Sequence, residues 1–165
     1  MRYDPFADAV NRGVQVGVTD LPGTDGWWIQ DEGTVLLDAQ LDARQRRVMC
    51  AHMLAHITLR NLADRCDCPQ HDTEVRVARL TASRLIGLPQ LIWAMKRADD
   101  ADAVAERLGV TTAVLAKRLR TLTELELQQV RARTGRRLVW STDPYSSPLR
   151  CSVSATLGAS TLRAS

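Results

Sequence analysis

Aromatic side chains make up only 4% of this 165-residue chain. A core with so few rings has to be filled by Leu, Val, Ile and Ala, within an apolar content of 45% that is ordinary for a globular protein. A long apolar run is missing too. The richest stretch, LIGLPQLIWAM (85–95), is broken by Pro89 and Gln90 and is too short to cross a bilayer. The first residues, MRYDPFADAV, carry acids and a proline where a signal peptide has its apolar centre. These absences point to a cytoplasmic protein without membrane contact, whose four cysteines are reduced. Strong charge is lacking as well. A net charge of +3 permits a nucleic-acid partner without arguing for one.

What is present reads as an α+β chain. A short helix over 4–11 precedes VQVGV (14–18), a strand. WWIQ (27–30) and TVLLD (34–38) flank Asp31-Glu32-Gly33, the mark of a β-hairpin, so a small antiparallel sheet is expected. From Asp42, a plausible N-cap, the pattern turns helical, with Val48, Ala51, Ala55 and Leu59 on one face. RCDCPQ (65–70) breaks that helix. Further helices follow over 72–86 and 89–97. ADAVAERLGVTTAVLAKRL (101–119) reads as helix, turn at Gly109 and helix, with Thr111 or Thr112 as the second N-cap. A last helix spans about 122–133. The organisation implied is a core over 1–98, a helix-turn-helix-like appendage over 99–135 and a flexible tail over 136–165, rich in Ser, Ala, Thr and Pro from Ser141.

The chain has three histidines, and two stand in AHMLAH (51–56). His52 and His56 are four apart, which puts both imidazoles on one helix face within reach of one metal ion. The pair alone serves equally well as two hydrogen-bonded histidines. A catalytic zinc site needs a third protein ligand, and Glu74 opens the next helix. An acid in a first turn is also a common complement to the helix dipole.

RQRRVMCAHMLAHITL resembles the active-site helix of the ImmA/IrrE-type zinc metallopeptidases, in which a glutamate follows the first histidine. EVRVARLTASRLI (74–86) is similar to their second motif, with Glu74, Ala82, Leu85, Ile86 and Pro89 in place. The hairpin before the histidines and the helix-turn-helix after them also resemble the family, so the likeness covers roughly 14–125. It implies zinc held by His52, His56 and Glu74, and a helical core with a small sheet. It implies a regulatory setting in which the target is a helix-turn-helix repressor of a phage or mobile element. The sequence departs from the family at Met53, which stands where the glutamate belongs. That glutamate takes a proton from the attacking water and passes it to the leaving amine; a thioether does neither. Losing a general base costs about 10²–10⁴ in rate. Ala78, Leu80 and Thr81 depart as well; Ala78 removes a polar group that could steady the ligands. Three readings stay open: a pseudopeptidase that binds a former substrate, an active peptidase with another base, and a DNA-binding regulator.

Other features carry weaker signals. Cys66, Cys68 and His71, with Cys50, would make a second metal site of uncommon spacing, or simply reduced cysteines in a loop. Lys117, Arg118 and Arg120 could face phosphates, although Asp99, Asp100, Asp102 and Glu106 nearby would repel DNA. Arg44, Arg46 and Arg47 read as a solvated helix face. Of the adjoining Trp27 and Trp28, one must point in and one out. If VQVGV is an edge strand, it could add a partner strand, and proline at Gln15 or Gly17 would test that.

Overall fold

The computed structural model describes residues 2–63 and 73–135. Its elements run α1 (Pro5–Asn11), β1 (Gln15–Thr19), β2 (Gly26–Ile29), β3 (Thr34–Asp38), α2 (Ala43–Ala63), α3 (Thr73–Leu85), α4 (Leu88–Met95), α5 (Ala101–Leu108), α6 (Thr112–Arg120) and α7 (Glu124–Thr134). The α+β architecture is as the sequence predicts. The sheet is mixed, however, not purely antiparallel. Its order is β1-β3-β2, with β2 antiparallel and β1 parallel to β3. The reason lies in what each strand buries. Val35 and Leu37 of β3 are fully buried and belong in the middle, whereas Val18 of β1 and Trp27 of β2 are about half exposed. Residues 20–25 therefore carry the chain past the place that β3 fills, across two strand spacings of about 4.8 Å each. Gly33 closes the β2–β3 hairpin at φ 61°, a left-handed conformation that suits glycine.

Local chemistry sets the helix boundaries. Asp42 and Gln45 form a reciprocal cap at the start of α2: each side chain accepts the other residue's backbone N–H at 2.8 Å. Asp100, Thr111 and Thr123 cap α5, α6 and α7 in the same sense, and Thr123 and Glu126 complete a capping box. Gly109, at φ 58°, ends α5 and makes the turn into α6.

Two apolar clusters hold the chain together. The smaller joins sheet and helix through Ala9, Val14, Val35, Leu37, Cys50 and Leu54. The larger runs from Ala51 of α2 through Ile86 and Leu91 to Leu115 and Val130, so α5, α6 and α7 share one buried cluster with α2, α3 and α4. Helix α2 contributes to both, and this fixes its histidine face between sheet and α3. The predicted run of free arginines is only partly free. Arg46 donates to Ala39 O at 2.9 Å, and half-buried Arg47 donates to Tyr3 O and Gly109 O at 2.8 Å each. These two tie α2 to the β3–α2 loop, the N-terminus and the α5–α6 turn; Arg44 has no such bond. Burial and the neighbouring Arg2 charge lower the Arg47 pKa to about 10. The tail over 136–165 lies outside the described residues.

Candidate metal centre

Met49, His52, Met53 and His56 follow one another at helical spacing along α2. The two imidazoles stand edge to face, 4.7 Å between ring centres, with their Nε2 atoms 3.1 Å apart. Glu74, in the first turn of α3, reaches across to both. Its Oε1 lies 3.1 Å from His56 Nε2 and its Oε2 3.8 Å from His52 Nε2. The spacing within α2 makes the histidine pair; the packing of α3 on α2 supplies the third group. Part of that packing is held at Thr58, whose hydroxyl accepts from Arg84 of α3 and from Arg12 after α1.

The three side chains fit a divalent metal in kind and in spacing. Two nitrogens and a carboxylate are a known catalytic zinc set, leaving one position open. Donor atoms around a tetrahedral zinc with bonds of about 2.0–2.1 Å stand about 3.3 Å apart. The distances of 3.1 and 3.8 Å bracket that value, and all ligand atoms lie within 4.8 Å of one another. Burial, and then the facing His56, push the His52 pKa below its ordinary value, while Glu74 opposes them. That favours the neutral imidazole, the form that binds metal. Two neutral nitrogens cannot both present lone pairs at 3.1 Å without a proton or a cation between them. Among the described residues no hydrogen bond is made by either Nδ1, so the outer partners that usually steady such ligands are missing. Ala78, one turn beyond Glu74, offers none.

The cluster borders a groove of about 780 Å³ between β2 and the helices. Trp28, Met49, Met53 and Ile57 give it apolar walls, and Arg60 and Arg76 give it positive charge. Met53 is half-buried and packs against the sheet-side cluster. Among the described lining residues there is no carboxylate that could stand in for a base; Glu74 is engaged with the histidines. Gly26 is needed for the groove floor: a Cβ there would meet Met49 Cγ at 2.9 Å.

The edge strand at this groove is β2. Asp38 N–H donates to Asp25 O, so residues 25, 27 and 29 carry the ladder to β3. By the alternation of an antiparallel pair, Gly26 and Trp28 turn their N–H and C=O away from β3; Gly26 O accepts there from the Thr24 hydroxyl at 3.0 Å, which leaves Gly26 N–H and the backbone of Trp28 on the open side. β1 is an edge strand too, the condition for strand addition there, but Gln15 N–H donates to Gly33 O. In that parallel ladder Gly17 N–H also faces β3, so proline at either position breaks the sheet and does not probe the open edge. Trp27 is the outward tryptophan, 58% exposed, and Trp28 the inward one.

The cations of α6 are placed otherwise than the sequence predicts. Arg118 is buried; it donates to Ile86 O at 3.0 Å and pairs with Glu126. It cannot reach a phosphate, because the packing of α7 brings Glu126 to it. Lys117 is half-buried and Arg120 exposed. Cys50 lies in the sheet-side cluster, where burial raises its thiol pKa to about 12. Cys66, Cys68 and His71 lie outside the described residues. The groove residues Met49, Arg60, Arg76 and Trp28 were not singled out as site residues from sequence. The M-x-x-H-M-x-x-H stripe, all on one helix face, is the signal that finds the first of them.

A peptidase family described as the IrrE N-terminal-like domain matches residues 10–120, which contain β1 to α6 and all three clustered groups. No curated protein matches the chain. A Mycobacterium tuberculosis transcriptional regulator has a similar fold, with a TM-score of 0.60 and 19% identity. That likeness covers 75% of this chain and 43% of the regulator, so this chain spans less than half of the regulator's length. The matching family is one of zinc metallopeptidases, and His52, His56 and Glu74 are placed so that they could hold such an ion. The chain belongs to the IrrE N-terminal-like family of peptidases.

Proposed function

We propose that this protein is a pseudopeptidase: it keeps the fold and metal ligands of its family and binds a protein segment it no longer cuts efficiently. The observation that carries this reading is Met53, set in the groove beside a three-ligand cluster. His52, His56 and Glu74 would hold zinc. When bound, zinc supplies Lewis acidity, polarising a carbonyl group. This chain's own residues do the rest. The open edge at Gly26 N–H and the backbone of Trp28 pairs with an extended segment. The apolar walls at Trp28, Met49 and Ile57 take its side chains. Met53 can accept no proton from an attacking water and deliver none to a leaving amine. The missing base leaves about 3–5.5 kcal/mol of barrier in place.

The family resemblance carries the regulatory part of the proposal. The bound segment belongs to a transcriptional repressor of the helix-turn-helix kind, in a phage or mobile element. The buried Arg118 removes one of three cations that a DNA-binding reading relies on.

The test is metal content by mass spectrometry on tag-free protein, beside His52→Ala and Glu74→Ala. One zinc per chain, lost in both variants, supports the site. No metal after zinc is added removes it. In the zinc-loaded protein, Met53→Glu should raise peptide hydrolysis by about 10²-fold or more. High activity in the unchanged protein would sink the pseudopeptidase reading.

A further inference from the structure

The groove differs in charge from one end to the other. It is continuous with a shallower pocket through Thr24 and Met49, which line both. That second pocket carries Asp25 and Asp38. Asp38 already accepts from the backbone of Leu21 and Gln40. The Asp25 carboxylate has no partner among the described residues, and the residue is exposed. Away from Met49 the sign reverses. Arg60 and Arg76 line the groove, exposed, and neither has an ion-pair or hydrogen-bond partner among the described residues. Elsewhere arginines that line the molecule's folds are tied down, as at Arg12, Arg47 and Arg118. Between the charged ends stand Met49, Met53, Ile57 and Trp28, with the His52–His56 pair facing them.

Helix α2 gives the scale of the groove, because Met49 borders the acidic pocket and Arg60 lies at the basic end. Arg60 follows Met49 by eleven residues, about 16 Å along a helix axis, and Asp25 lies past Met49. An extended chain advances about 3.3 Å per residue and turns every second side chain to the same face, so two groove-facing side chains about six residues apart cover that span.

We infer that the groove selects an extended protein segment with one basic and one acidic side chain about six residues apart and apolar residues between. The acidic side chain lies at Arg60 and Arg76, the basic one at Asp25, and the apolar middle crosses the histidine pair. This rests on the reading of the groove as a segment-binding site. It adds a charge order to it, and so a direction in which the segment lies. Charge at a rim chooses among partners and speeds their encounter more than it tightens the complex.

The test uses three fluorescent decapeptides with the full zinc-loaded chain, read by anisotropy at low and high salt. Two carry Lys and Glu six residues apart in opposite orders, with Thr and Leu alternating between so that Leu shares their face; the third has Gln at both places. One order should bind about fivefold or more tighter than the other two peptides, with the advantage lost at high salt. The triple variant Asp25→Lys/Arg60→Glu/Arg76→Glu should exchange the preference between the two charged peptides. Equal binding of all three, or a preference that survives the exchange, overturns the charge order while leaving the groove reading standing. Binding of none removes the groove reading and this inference with it.

Discussion

The two halves of the helical framework handle polar groups in opposite ways. Around α5, α6 and α7 the buried and capping polar groups are paired: Asp100, Thr111 and Thr123 cap helices, and Arg118 is held by Ile86 O and Glu126. Around α2 and β2 they are not. Two imidazole nitrogens face each other at 3.1 Å, two arginines lack partners among the described residues, and a strand edge is open. A helix-turn-helix pattern is read most readily as the functional part of a chain. Here its buried and capping polar groups are paired, and the groove is where inward-facing binding groups remain unspent. Pairing status, more than motif, separates framework from site.

The comparison predicts that the halves fail differently. The largest effect belongs to the framework. Leu115 of α6 is 1% exposed in the large cluster. Leu115→Ala should lower the unfolding free energy by about 2–5 kcal/mol in urea titrations. A loss under about 1 kcal/mol would mean that α6 is an appendage and not part of a shared core. A site change should do the reverse. His52→Ala should alter metal-free stability little, since it removes one of two opposed nitrogens. It should abolish the stabilisation that zinc gives the unchanged protein, about 2.7 kcal/mol at a hundredfold excess over Kd. Calorimetry with and without zinc checks this. An equal zinc-induced rise in Tm for the variant would place the ion elsewhere.

What the sequence made legible follows the range of the forces involved. Periodicity and caps are local, and they located the helices and the turns at Gly33 and Gly109 closely. The His52–His56 spacing is local too. Glu74 is pointed to by the need for a third ligand on the next helix and by the family resemblance, because nothing within α3 itself says that its first turn meets α2. The sheet order was out of reach for a similar reason. Hairpin adjacency shows in the chain, but β3 is central only because β1, a long way upstream, pairs with its other side. The sequence therefore offers β1 as a strand for a partner to pair with, whereas the edge that borders the groove is β2. Arg118 failed in the same way. It lies three residues after Leu115 and one before Leu119, on the buried side of α6, yet a lone helix gives a long cation every freedom to reach solvent. Its burial depends on Glu126, supplied by α7.

That pair offers the smallest and most selective test. Arg118's hydrogen bond to Glu126 holds the carboxyl below its ordinary value of 4.5, against a smaller opposing effect of burial. A folded pKa below the unfolded one means that the native state is stabilised by the ionised form. The contribution is complete above pH 4.5 and fades as the pH falls through the lower, folded value. Glu126→Gln should therefore cost about 1–2 kcal/mol near pH 7. The gap from the unchanged protein should close on acidification below pH 4.5, as the native carboxyl also loses its charge. Urea midpoints for both proteins from pH 7 to 3 give the difference directly, and the remaining carboxylates cancel from it. Paired with Arg118→Met, the same series should show no further loss from Glu126→Gln. If the gap stays constant through the acid range, the ion pair does not hold α7 on α6, and the contrast between a satisfied framework and an unsatisfied groove loses its firmest example.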